Sequence, residues 1–175
     1  MTSPGTRREL SERIERGWAE LDRMLDGLSD EQLAAPGRDG WAIKDHVAHL
    51  AAWERSTVAL LEGRDRQAAM GLAGGREHER GSEIEHEVEE LNERLFALHR
   101  DLGPAGARAL LSATHDELRA ALAQLDDADL QAPYARFQPG DADEVRPVVG
   151  WIAGNTYEHV EEHQPWITEI MGRRS

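Results

Sequence analysis

Apolar residues recur along most of this chain at steps of three and four positions, the period of an amphipathic helix. The first stripe, with Leu10, Ile14 and Trp18 among its members, predicts a helix over residues 6–28. A second stripe predicts a helix over residues 42–63. The segment that follows is rich in glycine and polar residues, so we predict a mobile loop there, at 64–81.

Three further helices are predicted in the second half of the chain. Ser82 and Glu85 have the spacing of a capping box, which indicates a helix over residues 82–100. A proline opens each of the other two helices, at 103–125 and at 147–171, since proline is well tolerated in the first turn. No segment shows the alternation typical of a strand, so we predict an all-α fold.

A nine-residue pattern occurs twice, as LSDEQLAAP at 28–36 and as LDDADLQAP at 125–133. Each copy follows one long predicted helix and precedes another. We interpret this as two helical hairpins related by a pseudo-two-fold axis, which together form a four-helix bundle. The helix at 82–100 then lies in the long crossover between the hairpins. The alternative is that the pattern is only a common way of ending a helix.

Length and composition indicate one globular domain over residues 1–175, with 39% apolar and 31% charged residues. The chain has no cysteine, so it has no disulfide and any metal site must use His, Asp or Glu. Twenty basic residues stand against 34 acidic ones, a net charge of −14. Because nucleic-acid binding needs a basic surface, we expect no nucleic-acid partner.

Neither a membrane span nor a secretory signal is apparent. No window approaches the roughly 20 consecutive apolar residues that a spanning helix needs. The first thirty residues carry charge throughout and contain no apolar signal segment. We therefore expect no membrane partner and a cytoplasmic location.

Two of the eight histidines, His159 and His163, are four positions apart in the last predicted helix. On a helical wheel they lie on the apolar face with Ile152 and Ile167, opposite the neighbouring glutamates. Two polar rings in an apolar core need partners, and two neutral imidazoles at this spacing can share one divalent metal. The alternative is a pair of core histidines that bond backbone carbonyls or water.

A third ligand would come from a facing helix, and the helix at 42–63 offers His46 and His49. His46 lies inside the apolar arc and His49 at its edge, so periodicity does not choose between them. The other four histidines fall in the predicted loop or on charged helix faces, and we interpret them as surface residues. These are His78, His86, His99 and His115.

Two segments resemble a known family. Residues 40–50 (GWAIKDHVAHL), followed by Trp53 and Glu54, resemble the second-helix motif of the DinB-like superfamily. Residues 154–163 (GNTYEHVEEH) are similar to the last-helix motif of its ClbS/DfsB branch.

The resemblance implies a DinB-like four-helix bundle in which one histidine of the second helix and an H-x-x-x-H pair of the last helix bind a divalent metal. Carried over to this chain, the implied ligands are His49, His159 and His163. His46 stands where the family usually has an apolar residue, which favours a packed histidine. Ala42 stands where relatives commonly have a serine cap.

Three neutral imidazoles leave coordination positions free, the pattern of a catalytic site. All-nitrogen ligation suits Zn, Ni, Fe(II) or Cu. Relatives in the superfamily include low-molecular-weight-thiol S-transferases and isomerases, and the ClbS/DfsB branch includes proteins that disarm reactive electrophiles.

The resemblance thus implies a metal-dependent hydrolase or a thiol S-transferase acting on a small electrophilic molecule, in detoxification or resistance. A low-molecular-weight thiol would be the cosubstrate of the transferase. The alternatives are a non-catalytic metal- or ligand-binding bundle and a structural dimer whose histidines are core residues. The family often dimerises, so a homodimer is also plausible.

Two polar residues near the histidines could orient them. Asp45, four residues before His49, could bond that imidazole, and Asn155 could do the same for His159. The simpler interpretation of Asp45 is a first-turn acid that interacts with the helix dipole.

Other neighbours of the ligand positions have two interpretations each. Trp53 and Trp166 could wall a pocket, although aromatic residues at helical spacing are more often core. Glu54 and Glu162 could act as a base, although solvated surface is the simpler interpretation. Pro165 cannot donate to a helical carbonyl, so we expect a kink or irregular turn there, with Trp166 turned toward the core.

Overall fold

A computed structural model of the protein describes residues 3–72 and 84–172, with side chains from residue 88 onward in the second range. The predicted capping box at Ser82 and Glu85, His78 and the side chain of His86 lie outside this description. The described residues form nine α-helices. In chain order these are α1 (Arg7–Leu25), α2 (Asp30–Ala34), α3 (Ile43–Leu61), α4 (Arg66–Ala69), α5 (Ile84–His99), α6 (Pro104–Leu122), α7 (Asp127–Gln131), α8 (Val148–Gly154) and α9 (Tyr157–Gly172).

The helices pack as a bundle, which confirms the predicted all-α fold. Helix α3 packs against α6 and α9, and α1 packs against α9 and α6. Helix α5 follows the long connection after α4 and lies against α3. Among the described residues no β-strand is present, only two isolated bridges. None of the described helices has the length and apolarity that crossing a membrane would require.

Helix α3 is the central element of the bundle, and it carries one half of the candidate site. It contacts α4, α5, α6 and α9, so almost every residue from Ile43 to Leu60 is buried. This packing explains why polar side chains of α3 such as His46, His49 and Glu54 lie in the interior. Their polar atoms must therefore find partners inside the protein.

The two copies of the repeated pattern have the same local structure. Helix α2 begins with a capping box in which Ser29 Oγ accepts from the Gln32 backbone N–H at 3.2 Å. Helix α7 begins in the same way, with Asp126 Oδ1 accepting from the Asp129 N–H at 2.8 Å. After each short helix a proline forms an isolated bridge with the N-cap residue of the next helix. These bridges are Pro36–Ala42 and Pro133–Pro147.

The last predicted helix is interrupted, but not at the proline. Helix α8 ends at Gly154 and α9 begins at Tyr157, because side chains take up backbone carbonyls between them. Thr156 Oγ1 donates to the Ile152 carbonyl at 2.7 Å, and Asn155 Nδ2 donates to the Trp151 carbonyl at 2.6 Å. Such bonds compete with helical bonding.

The irregular turn expected at Pro165 is absent, and the expected turn of Trp166 toward the core is wrong. Helix α9 continues through Pro165 to Gly172. Pro165 and Glu161 both lie on the exposed side of α9, where water can bond the carbonyl that the proline leaves free. Trp166 is 49% exposed and does not enter the core.

The predicted loop at 64–81 contains a short helix in its described part. Asp65 caps α4 by accepting from the Ala68 N–H at 2.9 Å. Met70 and Leu72 then pack in a small apolar cluster with Leu95 of α5. This part of the segment is therefore anchored to the bundle.

Candidate functional site

Three histidines converge where α3 faces α9. His49 lies in the middle of α3, and His159 and His163 are one turn apart on α9. One ring nitrogen of each lies within 4.8 Å of the other two. Nitrogens bonded to one ion at about 2.0–2.1 Å would lie within about 4.2 Å of one another, so small ring movements suffice to bring them into contact with a shared ion.

The three imidazoles are held against one another by packing. The ring centroid of His49 lies 5.0 Å from those of His159 and His163, and the last two are 4.7 Å apart. His49 and His163 are buried and His159 is partly buried. The Nδ1 atoms of His49 and His159 are buried and have no hydrogen-bond partner, which fits a set of rings whose lone pairs are free for a ligand.

His46 is the fourth histidine of the cluster. Its Nδ1 lies 2.9 Å from Nδ1 of His163, and it is 3% exposed. Because a neutral imidazole carries one N–H, one of these rings donates to the other. This bond occupies Nδ1 of His163 and leaves its Nε2 for other contacts. Packing thus distinguishes His46 from His49, which periodicity did not.

Burial keeps these rings neutral. It lowers the pKa of His49 to about 3, with a further contribution from the neighbouring imidazoles, and it lowers the pKa of His159 to about 4. The pKa values of His163 and His46 are also lowered, again chiefly by burial. Neutral imidazole is the form that binds metals, so at neutral pH the donor set suits a divalent ion.

Three tryptophans surround the histidines. Trp41 lies 5.2 Å from His46 and 5.4 Å from His49, measured between ring centroids. Trp53 lies 5.8 Å from the His159 ring. Trp166 lies 4.8 Å from the His163 ring and stacks on His46 at 6.0 Å. Trp53 and Trp166 therefore wall the site.

The histidines and tryptophans line an open cleft of about 400 Å³. Its remaining lining residues are Asp39, Val88, Asn92, Gly154, Asn155 and Glu162. A smaller hollow of about 270 Å³ shares Trp41 and Asn92 with the cleft and is otherwise lined by Glu89, Glu93 and Phe96. Helix α5, which we placed only as a crossover, thus contributes one wall.

The described bonds of Asp45 and Asn155 do not reach the imidazoles that the sequence suggested. Asp45 Oδ2 accepts from the Ala42 N–H at 2.9 Å, and Lys44 Nζ donates to its Oδ1 at 2.7 Å. Asp45 therefore stabilises the start of α3, as the simpler interpretation held. Asn155 bonds the Trp151 carbonyl.

Glu54 and His115, which we interpreted from the sequence as surface residues, both lie in the interior. Glu54 is 4% exposed and His115 is 3% exposed. His115 Nδ1 lies 3.4 Å from Glu54 Oε1, and the His115 ring stacks on Trp18 at 4.9 Å. Its position beside Thr114 and Leu118 on the buried stripe of α6 was the available signal.

This buried pair also has charged neighbours. Glu15 Oε1 of α1 lies 3.7 Å from His115 Nε2 and forms an ion pair with Arg119 Nε at 2.9 Å. Burial raises the pKa of Glu54, against a smaller lowering by His115. His99, the other described histidine assigned to the surface, is partly buried, whereas Glu162 is exposed as predicted.

Several solved structures share this fold. The colibactin self-resistance protein ClbS, in complex with double-stranded DNA, aligns with a TM-score of 0.75 at 15% identity over 98% of each chain. The Sibling Lethal Factor Precursor DfsB aligns at 0.68 and 18% identity, over 97% of this chain and 96% of its own. An uncharacterised protein from Escherichia coli UTI89 aligns with a TM-score of 0.73 at 16% identity, over 98% of this chain and 95% of its own.

The DNA complex of ClbS corrects our expectation that nucleic acid is excluded as a partner. A protein of this fold has been crystallised with a duplex. The expectation rested on the net charge of −14, which averages over the whole surface. DNA contact requires only a local set of donors and cations, so net charge does not decide it.

The family itself is shown by the sequence. The comparison with curated proteins found no match. The sequence profile of the DinB superfamily, however, matches residues 13–163, which include all four clustered histidines and both histidine-bearing motifs. This match covers most of the chain and agrees with the bundle and with the similar structures. The chain belongs to the DinB superfamily.

Proposed function

We propose that His49, His159 and His163 bind a divalent metal and that the protein acts on a small electrophilic molecule, as a metal-dependent hydrolase or a low-molecular-weight-thiol S-transferase. The observation that carries the proposal is the convergence of three neutral histidines in a tryptophan-walled cleft. The similar fold of the self-resistance protein ClbS supports a role in resistance.

The donor set fits such an ion. His49 and His159 each have a buried Nδ1 without a partner, and the lowered pKa values leave the lone pairs unprotonated. When bound, a metal of this type supplies Lewis acidity, which can lower the pKa of water or of a thiol that enters as a cosubstrate. The chain has no cysteine, so a thiol would have to come from outside.

The other lining residues have roles that need no metal. Trp41, Trp53 and Trp166 present apolar surface that excludes water from the cleft. Asn155, at the junction of α8 and α9, and Asn92 on α5 offer amide groups to a ligand. Glu162, next to His163, is an exposed carboxylate of the lining and could accept a proton from a molecule bound there.

The metal proposal is tested by the metal content of protein purified without an affinity tag. We expect about one ion per chain in the wild type and loss of most of it in His159→Gln. His115→Gln is the matched control, because it replaces a buried histidine outside the cluster and should retain the metal. Absence of metal from the wild type after metal-replete expression would refute this proposal.

The rival candidate is a bundle that binds a metal or ligand without turning it over. Incubation with a panel of electrophiles, with and without cellular thiols, separates the two. Multiple turnovers in the wild type that are lost in His159→Gln support an enzyme, whereas capture of one equivalent supports a binder. Because ClbS was crystallised with DNA, a short fluorescent duplex belongs in the same series.

A further inference from the structure

The charged residues around the cleft all carry the same sign. Asp39 and Glu162 line the cleft, and Glu89 and Glu93 line the adjoining hollow. No lysine or arginine occurs in the described lining of either. Lys44, which is close in sequence, instead donates to Asp45 and to the Arg100 carbonyl at 2.9 Å.

The aromatic residues of the same two hollows form a continuous wall. Trp41 lines both hollows, and Phe96 stacks on it at 4.9 Å with an angle of 26° between the rings. Trp166 is half exposed beside Glu162, and it stacks on the buried His46. Indole faces attract cations, and carboxylates beside them strengthen that preference.

Asp39 and Glu162 both line the cleft, and Asp39 is held in place by a hydrogen bond from the backbone. Asp39 Oδ1 accepts from the Trp41 backbone N–H at 3.1 Å, which restrains the carboxylate at the edge of the cleft. His46 and His49 are more than nine-tenths buried and line the cleft. His46 Nε2 and His49 Nδ1 have no hydrogen-bond partner, so a ligand in the cleft can bond these nitrogens.

We infer that the ligand of this cleft is a small, flat, apolar molecule that carries a positively charged nitrogen. Its ring packs between the tryptophans, its cation lies against the indole faces and the carboxylates of Asp39 and Glu162, and its other end reaches the histidines. This inference rests on the proposed function, since it takes the cleft as the substrate site.

The test uses three naphthalene probes that differ in charge: 2-naphthylmethylammonium, 2-naphthylmethanol and 2-naphthoate. Calorimetric titration of chelator-treated protein, in which no bound metal can attract the carboxylate, should show the ammonium binding about tenfold more tightly than the alcohol and the carboxylate binding most weakly. Raising the salt concentration from about 0.05 to about 0.5 M should reduce the preference, because exposed carboxylates are screened. Equal affinity for the ammonium and the carboxylate would overturn the inference.

Variants locate the binding. Glu162→Gln should lower the affinity for the ammonium severalfold and leave the affinity for the alcohol unchanged. Glu161→Gln, an exposed carboxylate on the same helix outside the lining, should change neither. Trp166→Ala, at a half-exposed position, should lower the affinity for the ammonium and the affinity for the alcohol by a similar factor. If the Gln variants at 161 and 162 behave alike, the cation does not bind at this site.

The same titrations on chelator-treated and metal-loaded protein separate this inference from the proposed function. Preference for the ammonium in protein that binds no metal would leave the inference standing while the metal proposal fails. Stoichiometric metal in a protein with no preference for the ammonium would show the opposite.

Discussion

His46 and His163 share one hydrogen bond between their Nδ1 atoms, and this bond determines which nitrogen of His163 faces the cleft. A histidine that binds a metal through one nitrogen usually bonds a partner through the other, which fixes the tautomer and orients the ring.

We predict that His46→Leu lowers the metal affinity by about tenfold, because His163 loses the partner that orients it. His46→Gln, whose side-chain oxygen can accept from His163, should recover much of the affinity. Competition with a chromophoric chelator at neutral pH measures both. A leucine variant that binds metal as tightly as the wild type would show that the hydrogen bond has no part in the site.

At the scale of elements, helix starts are decided by single side chains. Ala42 is the N-cap residue of α3 and provides no side-chain acceptor, whereas Ser29 caps α2 with its hydroxyl. The backbone of Ala42 is extended, with φ −93° and ψ 165°, which is the conformation of a capped start. Asp45 supplies the reciprocal bond to the Ala42 N–H.

Ala42→Ser should therefore raise the free energy of unfolding by about 0.5–1 kcal/mol, since the hydroxyl can share the Asp45 backbone N–H, which already donates to the Ala42 carbonyl at 3.0 Å. Ser29→Ala is the matched opposite change and should lower it by about the same amount. Urea unfolding of both variants measures the effects. If Ala42→Ser is destabilising, the hydroxyl at this buried position does not accept a hydrogen bond from the Asp45 N–H.

The contact between α3 and α6 includes the buried Glu54–His115 pair. Burial raises the pKa of Glu54, so the native state binds this proton more tightly than the unfolded chain does. The sign follows: this group's contribution to stability is greatest below about pH 4.5 and falls as the pH rises through its folded pKa. A neutral amide at the same place avoids that loss.

We predict that Glu54→Gln gains stability relative to the wild type as the pH rises above about 4.5, by on the order of 1 kcal/mol. Urea unfolding at several pH values measures the difference. Glu117→Gln is the control, because it removes an exposed carboxylate of the same helix α6. A Glu54→Gln difference that is flat with pH would contradict a charged, buried Glu54.

At the scale of the whole molecule, the histidine cluster makes the free energy of unfolding depend on pH. The unfolded chain takes up protons on histidine below about pH 6.5, whereas native His49 and His159 do so only near pH 3 and pH 4. Each depressed pKa therefore contributes stability that is present above about pH 6.5 and is lost as the pH falls toward the folded values. Bound metal would compete with protons for the same lone pairs in this lower range.

The metal-free protein should lose stability between about pH 6.5 and pH 4, and His159→Gln should lose less, by on the order of 2–3 kcal/mol at the acid end. Unfolding measured with a chelator present at each pH gives both curves. Identical slopes for the two proteins would mean that His159 is not held neutral by the fold.

The sequence by itself determined the helices and much of the candidate site. The three- and four-residue period predicted α1 and α3 to within a few residues, and local start signals, a capping-box pattern and a proline, predicted α5 and α6, because helix formation follows from near neighbours. The same reasoning placed His159 and His163 on one face, since their spacing is local. The repeated turn pattern likewise gave two capped turns of the same structure.

Only the tertiary structure decided the features that depend on how helices rotate against one another. Periodicity could not choose between His46 and His49, because both lie near the apolar arc. Only the position of α9 brings His49 beside both His159 and His163, and His46 beside His163 alone. Glu54 and His115 were assigned to the surface because charge favours water, but each is the other's buried partner across two helices. Such pairs depend on contacts between residues distant in the chain, which no local pattern contains.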